Sequence, residues 1–359
     1  MRSDISSTSP ADRSDGTTAP FTVPLTLCSL PTGGGYKLGI KVAFNFLPLY
    51  MTWRLFELDT GGTGFWSAYN SGWWPQVPLP PQLQLAYIAY ASGNEYWGQL
   101  TQVGLYFEGQ QAFTSLVNVS QIQIAGGPKL ADWQCNVCND IPPLDGNFYG
   151  DFGADMNTDA TTGLQSVLLQ IANGFIVHLG SYPTTPGEQV SASLQIGLSS
   201  ADISGAPNQL VLTSGEKGLT PTGVLYINHH PVTIVPLMPV AVLFDTGTPS
   251  MHIWTGSLLS QDLLFKAAGI VSRSATGQLP DGVQVTLFCD GVTVLDFTAG
   301  SQPGLNQVSY APVKADPSSS DEAVGYVNTG LTPFFDRSIM FSPNTPTPFI
   351  SVFQSSATR

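Results

Sequence analysis

Two copies of the tripeptide Asp-Thr-Gly, one in each half of the chain, constrain its fold more than any other feature of the sequence. They begin at Asp59 and Asp245, within the related segments FELDTGGTGFW and VLFDTGTPSMHIW. Each aspartate follows an apolar run that predicts a strand, and each Thr-Gly predicts a sharp turn. One such tripeptide is expected by chance less than about 0.1 times in a chain of this length. The pair therefore indicates two equivalent halves.

The composition favours strands over helices. The 359 residues include 37 Gly and 28 Pro, and short apolar runs alternate with clusters of Gly, Pro, Asn and Ser. This pattern is typical of all-β proteins with tight turns, and it predicts strands at 36–44, 52–58, 85–90, 100–107 and 191–196. Helical periodicity is limited to two short segments, 162–172 and 258–268.

The length predicts two domains, because single cores stop growing at about 250–300 residues. We divide the chain into a polar, disordered lead-in at 1–20 and two lobes at 21–199 and 200–359. The lead-in lacks the apolar core of a secretory signal, so we expect a cytoplasmic protein or an exported one whose signal is absent from this sequence. The longest apolar run, 235–244, is too short for a membrane crossing of about 20 residues and predicts a buried strand.

Charge, cysteines and histidines argue against several classes of function. The net charge of −13 argues against nucleic-acid binding. Only Cys135 and Cys138, of four cysteines, are close in sequence, which leaves open buried thiols or one local disulfide. The four histidines lack the spacing of a zinc site or of a Ser-His-Asp triad. We therefore expect no metal, no cofactor and no membrane partner, and we expect a monomer.

Two carboxyl groups that meet across a pseudo-twofold axis can hydrolyse a peptide bond. Because both cannot ionise cheaply, they share one proton, so one acts as a base and the other as an acid. The base takes a proton from a water molecule that attacks the peptide carbonyl, and the acid stabilises the developing oxyanion. This chemistry needs neither a metal nor a covalent intermediate.

The surroundings of the two aspartates resemble those of the pepsin-like aspartic peptidases. The segment DTGGTGFW is similar to the family's Asp-Thr-Gly-Ser-x-x-x-Trp, with Trp66 at the tryptophan position. Residues 88–100 look like the family's flap hairpin, with Ser92 and Gly93 at its tip. The resemblance implies that Tyr90 is the tyrosine that closes over the substrate and hydrogen-bonds the tryptophan.

The resemblance also implies the architecture and the catalytic residues. It implies an all-β, bilobal fold of two pseudo-twofold related lobes with a cleft between them. Asp59 and Asp245 would be the catalytic pair, a dyad whose shared proton is a known property of this family. The residues that would support the pair follow it in each loop: Thr60, Gly61, Thr246, Gly247 and Thr248.

Two further segments resemble the apolar-apolar-Gly elements that buttress the catalytic loops in this family. They are FYGDFGADM at 148–156 and YVNTGLTPFFDRSIMFSP at 326–343. We match Gly150 of the first with Gly330 of the second, at similar distances from the two aspartates. The second segment departs from the family pattern, since polar Asn328 stands where an apolar residue is expected.

A second departure lies in the first catalytic loop. The family has Ser or Thr after the first Asp-Thr-Gly, where this chain has Gly62, whereas Thr248 is kept in the second loop. The missing hydroxyl is expected to shift the pKa values of the pair or to weaken activity, and Thr63 is the candidate to replace it. Arg2 and Arg13 are the lead-in's basic residues, so we expect no basic prosegment and a protein synthesised ready to act.

The sequence thus predicts an aspartic endopeptidase that takes a peptide or protein substrate as an extended strand and prefers hydrophobic residues at the scissile bond. Two alternatives stay open because a fold does not guarantee its chemistry. One is a non-proteolytic binding or inhibitor module. The other is a catalyst that uses the carboxyl pair for proton transfer on a small molecule.

Overall fold

The computed structural model describes most of the chain: residues 19–30, 35–44, 52–69, 72–74, 85–90, 93–110, 114, 116–126, 147–158, 163–185, 188–215, 218–234, 238–256, 259–271, 274–302, 304–313 and 325–354. The predictions for the lead-in up to residue 18, for Ser92 and for Cys135 and Cys138 fall outside these residues. Cys28 and Cys289, which lie within them, are free thiols.

The first half of the described chain consists of strands and one short helix. The strands are β1 (Phe21–Ser29), β2 (Tyr36–Phe44), β3 (Trp53–Asp59), β4 (Phe65–Ala68), β5 (Leu85–Ala89), β6 (Glu95–Val103), β7 (Leu105–Phe107), β8 (Val117–Gly126), β9 (Gly150–Gly153), β10 (Phe175–Leu179) and β11 (Ala192–Ile196), and the helix is α1 (Val167–Ile171).

The second half adds two helices, a 3-10 turn and further strands. The helices are α2 (Ser200–Gly205) and α3 (Gln261–Ala268), the 3-10 turn is Thr332–Phe334, and the strands are β12 (Gln209–Val211), β13 (Thr213–Gly215), β14 (Gly218–Thr220), β15 (Thr222–Ile227), β16 (His230–Pro231), β17 (Val240–Leu243), β18 (Met251–Thr255), β19 (Gly277–Gln278), β20 (Gln284–Cys289), β21 (Val292–Thr298), β22 (Val308–Pro312), β23 (Tyr326–Asn328), β24 (Arg337–Ser342) and β25 (Phe349–Gln354).

These strands confirm the predicted all-β class. A 14-stranded sheet has the order β12-β25-β24-β10-β11-β1-β2-β3-β9-β4-β8-β6-β5, with β7 beside β2. A 9-stranded sheet has the order β19-β22-β18-β23-β17-β15-β20-β21, with β16 beside β15. Alternating buried positions in strands such as β15 place one face on the core. None of the helices in the described residues is long and apolar enough to cross a membrane.

The predicted internal repeat is visible in the strand topology. In the first half the order is β3-β9-β4-β8, and in the second it is β17-β23-β18-β22. In both series the first pair is parallel, the second antiparallel and the third parallel. The two Asp-Thr-Gly loops therefore occupy equivalent places. The C-terminal strands β24 and β25 nevertheless lie in the sheet of the first half, and the lobe boundary at residue 199 stays a prediction.

The register of the parallel pairs corrects one residue match. Asp59 lies opposite Gly153 in the β3–β9 pair, and Leu243 lies opposite Asn328 in the β17–β23 pair. Counting from the two aspartates, Gly153 is the counterpart of Gly330. Both glycines press against backbone of the facing turn, where a Cβ would collide with a carbonyl oxygen. The match of Gly330 with Gly150 was therefore wrong, because it was made by local resemblance rather than by strand pairing.

Candidate active site

The two Asp-Thr-Gly loops hold each other by reciprocal hydrogen bonds. The Thr60 hydroxyl donates to the carbonyl of Phe244 over 2.7 Å, and the Thr246 hydroxyl donates to that of Leu58 over 2.5 Å. Each hydroxyl oxygen also accepts from the other threonine's backbone N–H, at 3.0 and 3.1 Å. Both threonines are buried. The supporting role predicted for them is consistent with this geometry, because four buried bonds fix one loop against the other.

We expect Thr60→Ala to lower the free energy of unfolding by about 2 kcal/mol, because it leaves the Phe244 carbonyl and the Thr246 N–H buried without their partner. Chemical denaturation followed by circular dichroism would measure the loss. Thr60→Ser keeps the hydroxyl and serves as the matched control. Equal losses in the two variants would show that the hydroxyl contributes nothing beyond packing.

The glycines of the loops bring the two aspartates together. The backbone N–H of Gly61 donates to Oδ1 of Asp59 over 2.8 Å, and that of Gly247 donates to Oδ1 of Asp245 over 2.7 Å. Each glycine also lies against the opposite aspartate. A Cβ at Gly61 would lie 2.7 Å from Cγ of Asp245, and one at Gly247 would collide with Cγ of Asp59. The carboxyl groups therefore face each other, with 8% and 6% of the two residues exposed.

Asp245 is surrounded by hydrogen-bond donors. Oδ1 accepts from the backbone N–H of Thr248 over 3.1 Å, and Oδ2 accepts from its hydroxyl over 2.8 Å. The side-chain amide of Asn328 donates to the same Oδ2 over 2.5 Å, and its Oδ1 accepts from the N–H of Gly330. The departure seen at position 328 thus supplies a donor to the aspartate of the second Asp-Thr-Gly loop.

Within the described residues, the outer carboxyl oxygen of Asp59, Oδ2, accepts no hydrogen bond from a hydroxyl or an amide like those that reach Asp245. Gly62 offers no hydroxyl, and the Thr63 hydroxyl donates to Asp155 over 3.0 Å. The expectation that Thr63 replaces the missing hydroxyl was therefore wrong. A third carboxyl group borders the space that a side chain at position 62 would take: a Cβ at Gly62 would lie 2.7 Å from Oδ2 of Asp59 and 2.8 Å from Oδ2 of Asp151.

The flap hairpin is formed by β5 and β6, and its tyrosine has an unexpected partner. The Tyr90 hydroxyl donates to Oδ2 of Asp151 over 2.5 Å, whereas Nε1 of Trp66 donates to the carbonyl of Thr63 over 3.0 Å. The predicted bond between Tyr90 and Trp66 was therefore wrong, because the indole N–H, which is a donor only, has a carbonyl acceptor of its own and the tyrosine hydroxyl has a carboxyl acceptor. Gly93 turns the hairpin at φ +87°.

The site opens into a cavity of about 440 Å³ beneath the hairpin. Its lining contains five carboxyl groups and one lysine, together with glycines of both Asp-Thr-Gly loops: Lys37, Glu57, Asp59, Gly61, Gly62, Asp151, Asp155, Asp245 and Gly247. Of the predicted flap residues, Tyr90 lines the cavity. The described residues contain no group of three or more His, Cys, Asp or Glu arranged to hold a metal ion.

Solved structures share this architecture. An aspartic proteinase from Irpex lacteus matches with a TM-score of 0.58 at 16% identity, over 94% of this chain and 98% of that one. The chain has a pepsin-like fold. Basic 7S globulin from soybean also matches, with a TM-score of 0.54 at 14% identity, over 94% and 97% of the two chains. No family model matches the sequence, and no curated protein does.

The pepsin-like fold does not by itself decide activity. One of these two neighbours is named as a proteinase and the other as a globulin, and identities of this size show the fold alone. Function must therefore be argued from the site. The same holds for the roles of Asp59 and Asp245, which stay predictions.

The two aspartates of this pepsin-like site have different electrostatic environments. Burial raises the pKa of Asp59 well above its ordinary value, and the charges of Asp245 and then Asp151 raise it further. A hydrogen bond between the carboxyl groups of Asp59 and Asp245 acts in the same direction. Because Asp245 accepts four hydrogen bonds from N–H and O–H donors, the geometry favours the proton on Asp59.

Sequence reasoning missed Asp151 and Glu57 beside the pair. They are direct neighbours across the β3–β9 pair, and Glu57 forms an ion pair of 2.7 Å with Lys37. One signal could have found Asp151. It lies in the segment 148–156, which resembles a buttress element. Aligning Gly153 of that segment with Gly330 places Asp151 at the position of Asn328.

Proposed function

We propose that this chain is an aspartic endopeptidase. The observation that supports the proposal is the pair of interlocked Asp-Thr-Gly loops, which set two buried carboxyl groups face to face on the wall of a cavity. An isolated aspartate in a turn would need neither the reciprocal threonine bonds nor a glycine pressed against a second aspartate. Pairs of titratable groups with divergent environments are typical of acid and base roles.

In the mechanism that follows, Asp245 is the base and Asp59 the acid. Asp245 takes a proton from a water molecule held between the carboxyl groups, and the water oxygen bonds to the peptide carbonyl carbon. The carbonyl π electrons move to its oxygen, to which Asp59 donates its proton. The tetrahedral species then breaks its C–N bond as Asp245 returns a proton to nitrogen and Asp59 regains one from the diol. One water is consumed, and an acid and an amine are released.

The substrate would be a peptide or protein segment bound in extended form beneath the flap hairpin. The two sides of the cavity differ, since Glu57 and Leu243 occupy equivalent positions two residues before the catalytic aspartates. The predicted preference for hydrophobic residues at the scissile bond is retained for the side lined by Leu243 and Tyr326. We expect the chain to act as a monomer.

Digestion of a peptide library between about pH 3 and pH 7 tests the proposal. We expect internal peptide bonds to be cleaved, and a statine-type transition-state analogue to inhibit cleavage, because it mimics the tetrahedral species. Mass spectrometry of the products would locate the cut sites. Tight binding of the analogue without any cleavage would instead favour proton transfer on a small molecule.

A non-proteolytic binding module is the second candidate. It is favoured by the likeness to a protein named as a globulin and by the absence of a hydroxyl at Gly62. Absence of both cleavage and analogue binding would support it against the endopeptidase.

A further inference from the structure

The two catalytic aspartates differ in the side chains that neighbour their outer carboxyl oxygens. Asn328 and Asp151 occupy equivalent positions, each opposite the residue two before a catalytic aspartate. The first is an amide that donates to Asp245, and the second is a carboxyl group next to Asp59. Position 248 carries a hydroxyl that donates to Asp245. The corresponding position 62 is glycine.

Gly62 and Asp151 fit each other. Because a Cβ at position 62 would stand within 2.8 Å of an oxygen of both Asp59 and Asp151, a serine or threonine there would collide with the carboxyl groups. The glycine therefore makes room for the third carboxyl. Asp151 is 1% exposed and lines the cavity. Its Oδ2 accepts from Tyr90, but its Oδ1 has no hydrogen-bond partner in the described residues.

We propose that Asp151 is a positioning residue that takes the place of the missing hydroxyl at position 62 and keeps the shared proton on Asp59, leaving Asp245 as the base. This inference rests on the proposed endopeptidase function. The carboxyl groups of Asp59 and Asp151 are both buried and border the same small volume. They cannot both ionise cheaply, so they hold one proton between them.

The charged and titratable groups that face Asp151 support this assignment. They come from each strand and loop packed on it: Lys37, Glu57, Asp59, Tyr90 and Asp245. The single cation among them, Lys37, forms an ion pair with Glu57. Burial and then the charge of Glu57 raise the pKa of Asp151 well above its ordinary value, despite the opposing hydrogen bond from Tyr90 and the opposing charge of Lys37.

The pH profile of kcat/KM for Asp151→Asn tests the proposal. In the variant an amide replaces the carboxyl, as Asn328 does in the other half, and it can donate to Asp59 and stabilise its ionised form. We expect the alkaline limit of kcat/KM to move down by about one pH unit or more, with a smaller change at the acidic optimum. Asp151→Ser, which also lacks the carboxyl group, should move the limit in the same direction. An unshifted alkaline limit in both variants would overturn the proposal.

Glu108→Gln is the matched control, because it removes one carboxyl group from a half-exposed ion pair with Lys41. We expect the pH profile of this variant to match that of the unmodified chain. A shift as large as that of Asp151→Asn would attribute the effect to net charge and contradict the proposal.

Thermal unfolding separates this inference from the proposed function, because it requires no cleavage. A carboxyl group whose pKa is raised by folding stabilises the folded state below its unfolded pKa, and this contribution is lost as pH rises through its folded pKa. The melting temperature of Asp151→Asn relative to the unmodified chain should therefore increase from pH 4 to pH 7, on the order of 2 °C. In an Asp59→Asn background this increase should shrink.

The outcomes are distinguishable. If no peptide is cleaved but the two substitutions are coupled in melting temperature, the endopeptidase proposal fails while proton sharing between Asp59 and Asp151 stands. If peptides are cleaved and the two substitutions act additively at both pH values, proton sharing is contradicted and the proposed function is retained.

Discussion

Asp245→Asn should lower kcat/KM for a cleaved peptide on the order of 10³-fold while leaving the fold intact. The amide has nearly the shape of the carboxylate, and its oxygen can keep the bonds from the backbone N–H groups of Gly247 and Thr248. It cannot take a proton from water, however, and so the attacking nucleophile is lost. Asp59→Asn should have an effect of similar size through loss of the acid.

Steady-state kinetics on one peptide, together with the circular dichroism spectrum and melting temperature, would test this prediction. Asp296→Asn is the matched control, because it makes the same change at an exposed position of β21. The control should retain activity within about two-fold. If Asp245→Asn also stays within about ten-fold of the unmodified chain, the pair of aspartates does not carry catalysis.

Gly247→Ala should cause the second-largest loss, although it removes no functional group. The added methyl would collide with the carboxyl group of Asp59, and a displacement of about 1 Å in a catalytic group can cost on the order of 10²-fold in rate. The collision is with a buried group held in an interlocked loop, so the free energy of unfolding should also fall, by about 1–3 kcal/mol.

Gly205→Ala is the control for this substitution, since a Cβ at Gly205 has open space around it. Kinetics and denaturation curves for the two variants should therefore differ sharply. Full activity in Gly247→Ala would mean that the two loops can separate without loss of function, and it would contradict the close approach on which the proposed mechanism depends.

The features that the sequence predicted correctly are those encoded over a few neighbouring residues. The strand-then-turn pattern around Asp59 and Asp245 indicated equivalent halves, and the strand topology confirms them. The segment 36–44 coincides with β2. Strand order and register depend instead on residues far apart in the chain. That is why Gly150 rather than Gly153 was matched with Gly330.

Local pattern also failed where one residue interrupts an element. The run at 100–107 was predicted as a single strand, but β6 ends at Val103 and β7 begins at Leu105. In the described part of the periodic segment 162–172, at 163–172, the helix is only the five-residue α1. A short periodic stretch forms a helix only where tertiary packing supports it, and packing cannot be judged from the segment alone.

The hydrogen-bond partners in the site were the least predictable. Family resemblance assigned Tyr90 to Trp66 and offered Thr63 as a replacement hydroxyl, whereas both hydroxyls donate to carboxylates, those of Asp151 and Asp155. Neither carboxylate has a counterpart in the motif used for the comparison. A motif lists the residues that recur, and the substitutions that change an electrostatic environment lie between them.

The interlocked loops also fix when the site comes into existence. Asp59 and Asp245 belong to halves that are translated one after the other, and neither loop has its threonine partner until the second half has formed. The last strand of the shared sheet, Phe349–Gln354, pairs with β24 and β12. A nascent chain therefore lacks the paired carboxyl groups until the second Asp-Thr-Gly loop has been made and folded, so any cleavage by the assembled site requires both halves.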